Sequence, residues 1–334
     1  MKVPDNDNMI NTIEAVNAAL AEAMELDPTV LVLGEEVADP EGGGIRGVTR
    51  GLSSRFGDHR VRSTPISEQA IIGAAIGASL VGYRPVAEIM LMNFMTVAMD
   101  MIVNHAAKLR FMSGGQTHVP LTIRTMTGAG YSTAGQHADY LEAWFAHTPG
   151  LKVVAPSCPA DAKGLMLSCI FDDDPCIFIE NMPSYAVKGP APLPGERIPL
   201  GLANVVRPGS HVTVISYARA LSDVLAVAAQ LEGAGVQVEV VDLRTIAPWD
   251  RPTVLESVAR TRRAVIVHEA VADFGVGAEI AAVINRELFG DLLAPVERVG
   301  GNFSPVPFSK PLESAFVPTR GRIEAAIHKT LQRG

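Results

Sequence analysis

The sequence is poor in cysteine, in aromatic residues and in long apolar runs. Three cysteines in 334 residues are too few for a disulfide framework, and their spacing does not match paired zinc ligands. No apolar run reaches the roughly 18 residues that a membrane-spanning helix needs, so we expect no integral membrane protein. We expect Cys158, Cys169 and Cys176 to be small buried residues in a reducing compartment.

Positive charge is scarce as well. The chain carries 28 basic and 36 acidic side chains, a formal net charge of −8. A negative protein repels phosphate backbones, so nucleic-acid binding is not expected as the main activity. The first ten residues, MKVPDNDNMI, contain no apolar core of the signal-peptide type. These features predict a cytoplasmic protein without a leader.

Short apolar runs alternate with stretches of helical periodicity. The runs at residues 30–34, 84–90, 119–125 and 176–181 read as buried strands, and residues 94–112 as one long helix. Continuous apolar strands between helices predict a parallel sheet that is covered on both faces. Prolines then crowd one stretch, and the alternation restarts after it. We therefore predict α/β domains at 1–182 and 205–334, joined by a linker at 183–204.

Generic motifs leave the chemistry open. The glycine run at 42–44 is interpreted as a flexible loop rather than a phosphate cradle. Glu68 follows an extended stretch, and His137 lies in a glycine-rich loop after another. Ligands of α/β sheets bind at such strand ends. A glutamate in a first helical turn also simply favours the helix dipole, and a lone loop histidine is more often structural or exposed. Both interpretations stay open at this point.

Ordered segments along the whole chain carry a resemblance. They include Gly-Glu-Glu-Val at 34–37, Arg-Val-Arg-Ser-Thr-Pro-Ile-Ser-Glu at 60–68, Ser-Gly-Gly-Gln at 113–116 and Asp-Leu-Arg-Thr-Ile at 242–246. The chain resembles the β subunits of the thiamine-diphosphate-dependent first component of 2-oxo acid dehydrogenase complexes, of the pyruvate and acetoin type. The resemblance implies a transketolase-like α/β fold. In that fold a doubly wound pyrimidine-binding domain precedes a domain of the transketolase C-terminal type.

The resemblance also implies which residues would bind the cofactor. Glu68 matches the family glutamate that hydrogen-bonds the aminopyrimidine ring nitrogen. Phe94 matches the aromatic residue that packs on the pyrimidine, and Ile66 and Met90 match its apolar neighbours. Glu35 matches a buried acid proposed to relay protons between the two sites of the assembly, and its alternative is a solvated carboxylate at a strand end.

His137 matches the family histidine that lies over the reactive thiazolium carbon. Family members usually continue with Ser-Gln-Ser after this histidine, whereas this chain has Ala138, Asp139 and Tyr140. The two serine hydroxyls are therefore lost and a carboxylate is gained. If Asp139 faces the cleft, it opposes an anionic 2-oxo acid; if it points to solvent, screening removes most of the effect.

Partners and cofactors follow from the same resemblance. Thiamine diphosphate would be shared with an α subunit that holds Mg²⁺ through a Gly-Asp-Gly motif, and this motif is absent from the present sequence. The expected assembly is an α₂β₂ heterotetramer that passes an acyl group from a 2-oxo acid or acetoin to a lipoyl acyltransferase core. We expect no metal on this chain's own side chains, although some relatives hold a structural K⁺ through carbonyls near Leu121 and Asp172. The alternatives are a two-subunit thiamine enzyme that makes carbon–carbon bonds and a catalytically silent assembly subunit.

Overall fold

The computed structural model describes residues 9–332. The expectation about a leader falls largely on residues 1–8, which lie outside this range. Among the described residues, no helix combines the length and the apolar character needed to cross a bilayer.

The described chain consists of strands and helices that alternate, as the sequence predicts. Numbered along the chain, the strands are β1 Met9–Asn11, β2 Val30–Gly34, β3 Val61–Ser63, β4 Arg84–Leu91, β5 Thr122–Thr127, β6 Lys152–Val154, β7 Cys176–Asn181, β8 Lys188–Pro190, β9 Asn204–Arg207, β10 Val212–Ser216, β11 Val238–Asp242, β12 Thr245–Ala247, β13 Ala264–Val271 and β14 Glu297–Gly301. The helices are α1 Thr12–Leu26, α2 Leu52–Phe56, α3 Glu68–Leu80, α4 Leu109–Met112, α5 Gly135–Ala138, α6 Glu142–Ala146, α7 Pro159–Ile170, α8 Ala220–Glu232, α9 Arg251–Thr261, α10 Val276–Leu288, α11 Lys310–Phe316 and α12 Arg320–Leu331.

These elements form two compact units. The first comprises residues 9–127 and 144–200, and the second comprises 128–143 and 201–332. The proline-rich segment up to Leu200 packs on the first unit: β8 pairs with β1, and the N–H of Ile198 donates to the carbonyl of Gly164 at 3.2 Å. The segment 128–143, which carries His137, packs with the second unit.

The first unit is built on a parallel sheet. Within it six strands pair in the order β6-β7-β5-β4-β2-β3, and every residue of β5 and β7 is buried. Helices α1 and α7 pack together against this sheet. Asn11 and Glu14 form a capping box that satisfies free N–H groups at the start of α1. The predicted parallel α/β architecture is confirmed.

The predicted long helix at 94–112 is wrong. The chain forms a 3₁₀ helix at Met92–Ala98, a π-helical turn at Met101–Ala106 and then α4. The hydroxyl of Thr96 donates to the carbonyl of Asn93 at 2.7 Å, a local bond that competes with the regular helical pattern. Apolar periodicity indicates helical turns in this stretch, but it does not report such local side-chain bonds.

The second unit contains a five-stranded sheet in the order β14-β13-β10-β11-β9. Its strands are parallel except for β9, which pairs antiparallel with β11. The chain order reverses between β10 and β13, because β11 lies on one side of β10 and β13 on the other. This reversal is the switch point at which open α/β sheets form a crevice, and it positions residues of the second unit that are discussed below.

Candidate active site

The site residues expected in the first unit follow three neighbouring strand ends. Glu35 directly follows β2, Ile66 and Glu68 follow β3, and Met90 and Phe94 lie at and after the end of β4. Strand β2 pairs in parallel with both β3 and β4, so these three ends meet at one edge of the sheet. The structure therefore brings these five residues to the same edge of the first unit.

Two carboxylates at this edge influence each other. Glu35 is only 9% exposed, and burial raises the pKa of its carboxyl, with a further contribution from the negative charge of Glu68. Glu68 is the first residue of α3. Among residues 9–332, neither carboxylate has a hydrogen-bonding side chain or backbone partner. A shielded carboxylate without a hydrogen-bond donor costs free energy. A bound ligand with polar N–H groups could supply the missing donors.

Apolar side chains accompany these carboxylates. Ile66 is 82% exposed in the turn before α3, which is unusual for an isoleucine of a folded unit. Met90 and Phe94 are partly buried and pack against the core of the first unit. The edge thus offers apolar surface beside hydrogen-bond acceptors, the combination typical of sites for heteroaromatic rings.

The glycine run at 42–44 is not a phosphate cradle. Gly42, Gly44 and Gly47 do match the G-x-G-x-x-G spacing, but the N–H groups of residues 42–44 donate to the carbonyls of Asp39, Ala38 and Glu36. All three glycines have positive φ angles, and the loop is fixed by these bonds. The prediction of a flexible loop is therefore wrong, because backbone hydrogen bonds hold the loop in place. The N–H groups used in these bonds are not available to bind a phosphate, in agreement with the other part of the prediction.

Sequence reasoning missed a buried ionic cluster beneath this edge. Arg124 of β5 donates to Glu88 of β4 and to Glu180 of β7, whose second carboxylate oxygen accepts the Tyr185 hydroxyl at 2.8 Å. Burial would lower the pKa of Arg124, but the charges of Glu180 and Glu88 outweigh it and raise that pKa. Burial raises the pKa of Glu88. The sequence did contain a signal for this cluster, since Glu88, Arg124 and Glu180 are charged residues inside strands that are otherwise uncharged or apolar around them.

His137 lies in the second unit. It belongs to the short helix α5, which begins at Gly135 beside Pro305. Of the next residues, Ala138 packs in a small apolar cluster with Phe316, and Asp139 accepts the N–H of Val306 at 3.1 Å. The structure thus places His137 in a different unit from the other expected site residues.

Two buried carboxylates of the second unit fasten the start of segment 128–143. Glu269 of β13 accepts the N–H of Ala129 at 2.6 Å, and Glu313 accepts the N–H groups of Gly130 and Ser132 at 2.7 and 3.1 Å. Both carboxylates are no more than 5% exposed. They fix the backbone that leads into α5.

A mostly apolar cavity of about 320 Å³ adjoins the residues that follow His137. Its lining includes Asp139, Tyr140, Glu269, Phe303 and Pro305, all from the second unit. Asp139 therefore borders a cavity while one oxygen is held by the backbone of residue 306. The side chain of Asp139 therefore lies at the wall of this cavity and does not simply point into solvent.

Metal ligation finds little support in the described residues. Between residues 9 and 332, no group of three or more His, Cys, Asp and Glu side chains is arranged to hold an ion. The carbonyl of Leu121 accepts the N–H of Cys176, and that of Asp172 accepts the guanidinium of Arg84 at 3.0 Å. Lys152 binds both carboxylate oxygens of Asp172 at 2.6 Å. Two cationic side chains already serve Asp172, so the contacts give the K⁺ expectation no support.

Cys158, Cys169 and Cys176 form no disulfide with one another. Cys169 and Cys176 are buried as expected, whereas Cys158 is exposed at the N-cap of α7. The expectation of burial is wrong for Cys158, because the N-cap position leaves its side chain at the surface.

Comparisons with known proteins agree with this architecture. The family model described as transketolase, pyrimidine binding domain matches residues 8–188, and the one described as transketolase, C-terminal domain matches residues 201–323. A solved split-gene transketolase, an inactive β4 tetramer, has a TM-score of 0.80 at 24% identity, covering 97% of this chain and 99% of that one. Transketolase from Pichia stipitis has a TM-score of 0.70 at 15% identity, covering 98% of this chain and 46% of that one. These likenesses confirm the transketolase-like fold.

Curated relatives are similar over nearly their whole length. The β subunit of acetoin:2,6-dichlorophenolindophenol oxidoreductase from Cupriavidus necator is 44% identical, covering 96% of this chain and 97% of the relative. The pyruvate dehydrogenase E1 component β subunit from Rickettsia felis is 43% identical, covering 96% and 98%. The chain therefore belongs to the transketolase-like family of pyruvate dehydrogenase E1 and acetoin oxidoreductase β subunits.

Proposed function

We propose that this chain is the β subunit of a thiamine-diphosphate-dependent enzyme that cleaves a pyruvate-like 2-oxo acid or acetoin. The observation that carries the proposal is the edge formed by the ends of β2, β3 and β4. There, two interacting carboxylates without protein hydrogen-bond partners in residues 9–332 lie beside the exposed side chain of Ile66. This combination fits an aminopyrimidine ring, which has polar nitrogens at its rim and an apolar face.

Each residue at the edge has a distinct part. The Glu68 carboxyl would share a proton with the pyrimidine ring nitrogen, and Phe94, Met90 and Ile66 would cover the ring face and exclude water. Glu35, with its raised pKa, stays protonated to higher pH than an ordinary glutamate and so limits the negative charge around Glu68. When bound, thiamine diphosphate would supply the nucleophilic carbon for cleavage of the substrate.

His137 acts from the second unit. Its imidazole would donate a hydrogen bond or a proton to the oxygen of the bound substrate. Segment 128–143 presents this side chain, and the bonds from Glu269 and Glu313 limit where it can go. Asp139, at the wall of the adjacent cavity, would place a negative charge near the substrate path.

An α subunit completes the enzyme. It would supply the binding site for the diphosphate and for Mg²⁺; in residues 9–332 of this chain, no cluster of His, Cys, Asp and Glu side chains is arranged to hold a metal ion. The acceptor of the acyl group would be a lipoyl group, and the expected assembly is α₂β₂. The names of the relatives, an E1 component and an acetoin oxidoreductase, support the same division into subunits.

Co-expression with the α subunit tests the proposal. The purified pair is assayed with pyruvate, other 2-oxo acids and acetoin, with an artificial electron acceptor. Glu68→Gln keeps the shape of the side chain but cannot share the proton, so we expect turnover to fall at least roughly 10²-fold, the scale of positioned acid–base groups.

The matched control is Glu36→Gln, which removes an exposed carboxylate one residue from Glu35. It should keep nearly full turnover, and both variants should unfold at the wild-type temperature. Wild-type turnover of Glu68→Gln, or tight binding of thiamine diphosphate by the β chain alone, would overturn the proposal.

A further inference from the structure

A buried carboxyl of segment 128–143 occupies the switch point of the second sheet. Glu142, the first residue of α6, is 0% exposed, and its Oε1 accepts the hydroxyl of Tyr217 at 2.6 Å. Tyr217 directly follows β10 and is itself buried. The Oε2 atom of Glu142 has no hydrogen-bond partner within residues 9–332. The bonds to Glu142 only partly offset the cost of burying a charged carboxylate here.

The groups that surround Glu142 also disfavour a negative charge. Glu269 of β13 adds a like charge nearby, and its partner Arg219 lies 3.8 Å from it with the guanidinium partly exposed. His268 of β13 stacks on Tyr217 with ring centroids 6.0 Å apart, and burial lowers the pKa of its imidazole to about 4, so it is neutral. No buried cation among the described residues therefore compensates Glu142.

We propose that Glu142 is a positioning residue: its neutral carboxyl, seated on Tyr217, holds segment 128–143 and thus His137 on the second unit, and its ionisation loosens the segment. This inference relies on the proposed function only for the catalytic meaning of His137. The attachment of the segment is a property of this chain alone.

The chemistry sets the pH range of the effect. Burial raises the pKa of Glu142 from 4.5 to about 7, with a smaller contribution from the charge of Glu269 and an opposing one from the Tyr217 hydrogen bond. A carboxyl that is released from the second unit regains its ordinary pKa and loses its proton first. The released form is therefore increasingly favoured as pH rises from 4.5 through 7, and the preference levels off above that.

Hydrogen exchange of the amides in segment 128–143 tests this, in the assembly in which the chain purifies. After division by the intrinsic rates, the opening equilibrium of the wild-type segment should rise roughly tenfold between pH 6 and pH 8. Glu142→Gln can still accept from Tyr217 but cannot ionise, so its opening should be independent of pH. In the reconstituted enzyme, the alkaline limb of kcat/KM near pH 7 should disappear in the same variant.

Two further variants separate this role from a merely structural one. Glu313→Gln weakens another attachment of the same segment, so opening should increase at both pH values while the tenfold rise remains. Tyr217→Phe removes a bond that favours the ionised form, so the midpoint of the rise should move to higher pH. A flat wild-type profile, or an unchanged rise in Glu142→Gln, overturns the proposal. Full activity of Glu68→Gln would instead overturn the proposed function and leave the exchange result standing.

Discussion

At the scale of single residues, the molecule is organised by how each buried carboxyl is neutralised. Glu88 and Glu180 share the guanidinium of Arg124, and Glu269 accepts a backbone N–H. Glu35 and Glu142 have no guanidinium partner within residues 9–332, and Oε2 of Glu142 has no hydrogen-bond partner there. The pKa of each carboxyl is raised, mainly by burial. Paired carboxyls therefore serve the fold, whereas these two lie at the two strand-end crevices where ligands or moving segments belong.

Asp139 allows a prediction about substrate charge. Its carboxylate borders the cavity next to His137, so removal of the charge by Asp139→Asn should favour anionic substrates over neutral ones. At an effective dielectric of about 20, a like charge some 8 Å away costs about 2 kcal/mol, or roughly thirtyfold. We expect kcat/KM for pyruvate to rise relative to that for acetoin, measured on the reconstituted pair.

The amide introduced by Asp139→Asn cannot reproduce the charge but can still accept the N–H of Val306, so the local fold is preserved. A change of less than about twofold in the ratio of the two kcat/KM values would show that Asp139 has no part in substrate choice.

His268 allows a prediction about stability and pH. Because burial lowers the pKa of its imidazole to about 4, the unfolded chain binds the proton more tightly, and this residue's contribution to stability is lost as pH falls from 6.5 through 4. The destabilisation caused by His268→Asn at pH 7 should therefore shrink by about 3 kcal/mol at pH 4. Denaturant unfolding of both proteins at the two pH values measures it. An equal gap at both values would show that the folded protein does not lower the pKa of this imidazole.

At the scale of elements, tight turns place the strand ends. Gly150 has a φ angle of 98°, and a Cβ there would collide with the carbonyl oxygen of Ala107. The turn that leads into β6 therefore depends on the absence of a side chain. Gly195 also has a positive φ angle, but among the described residues a Cβ built there would have open space around it.

The two glycines give a matched pair of substitutions. Gly195→Ala should cost about 1 kcal/mol, the strain of a left-handed residue alone. Gly150→Ala adds a backbone collision that a flexible side chain cannot relieve, so we expect a loss of at least about 3 kcal/mol or failure to fold. Denaturant unfolding gives both values, and equal costs would contradict the close approach to Ala107.

At the scale of the whole molecule, each unit leaves large apolar side chains at its surface. Phe111 and Met112 are 91% and 73% exposed in the first unit, and Phe274 and Phe308 are 88% and 71% exposed in the second. We expect other subunits to cover part of this apolar surface. Helix α3 contains Gly73 and Gly77, and a glycine allows another backbone to approach closely. Apart from its chain neighbours and the nearby backbone of its own helix, no described atom lies within 4 Å of a Cβ at Gly77, so this side of α3 has room for another chain.

Gly77→Leu tests this arrangement. The side chain would enter open space on helix α3, and replacing a helical glycine should raise the stability of the isolated chain by up to about 1 kcal/mol. If α3 packs against another subunit, the same change should prevent the α₂β₂ assembly, as measured by sizing of the co-purified pair. Normal assembly of the variant would place the interface elsewhere.

The sheets could be predicted from the sequence better than the residues around them. Apolar runs such as residues 30–34 coincide with the observed strand because burial on both faces leaves little alternative. The division at residues 128–143 could not be predicted, since it depends on Glu269 and Glu313, which are more than 130 residues away in the chain. The role of Glu142 depends likewise on Tyr217. A single glutamate at the start of a short helix does not reveal in the sequence which side chain it contacts.

Tyr217 contacts both Glu142, through a hydrogen bond, and His268, through ring stacking. This arrangement has a consequence for the exchange of protons with water. Between about pH 4.5 and 6.5 the unfolded chain carries an ionised Glu142 and a protonated His268, whereas the folded unit keeps both neutral. Folding in this interval thus transfers one proton from imidazole to carboxyl, with no net uptake or release. The two opposing dependences on acidity cancel, so these two groups together contribute a nearly constant amount to the stability of the second unit in this interval. Substitution of either residue alone exposes the pH dependence of the other.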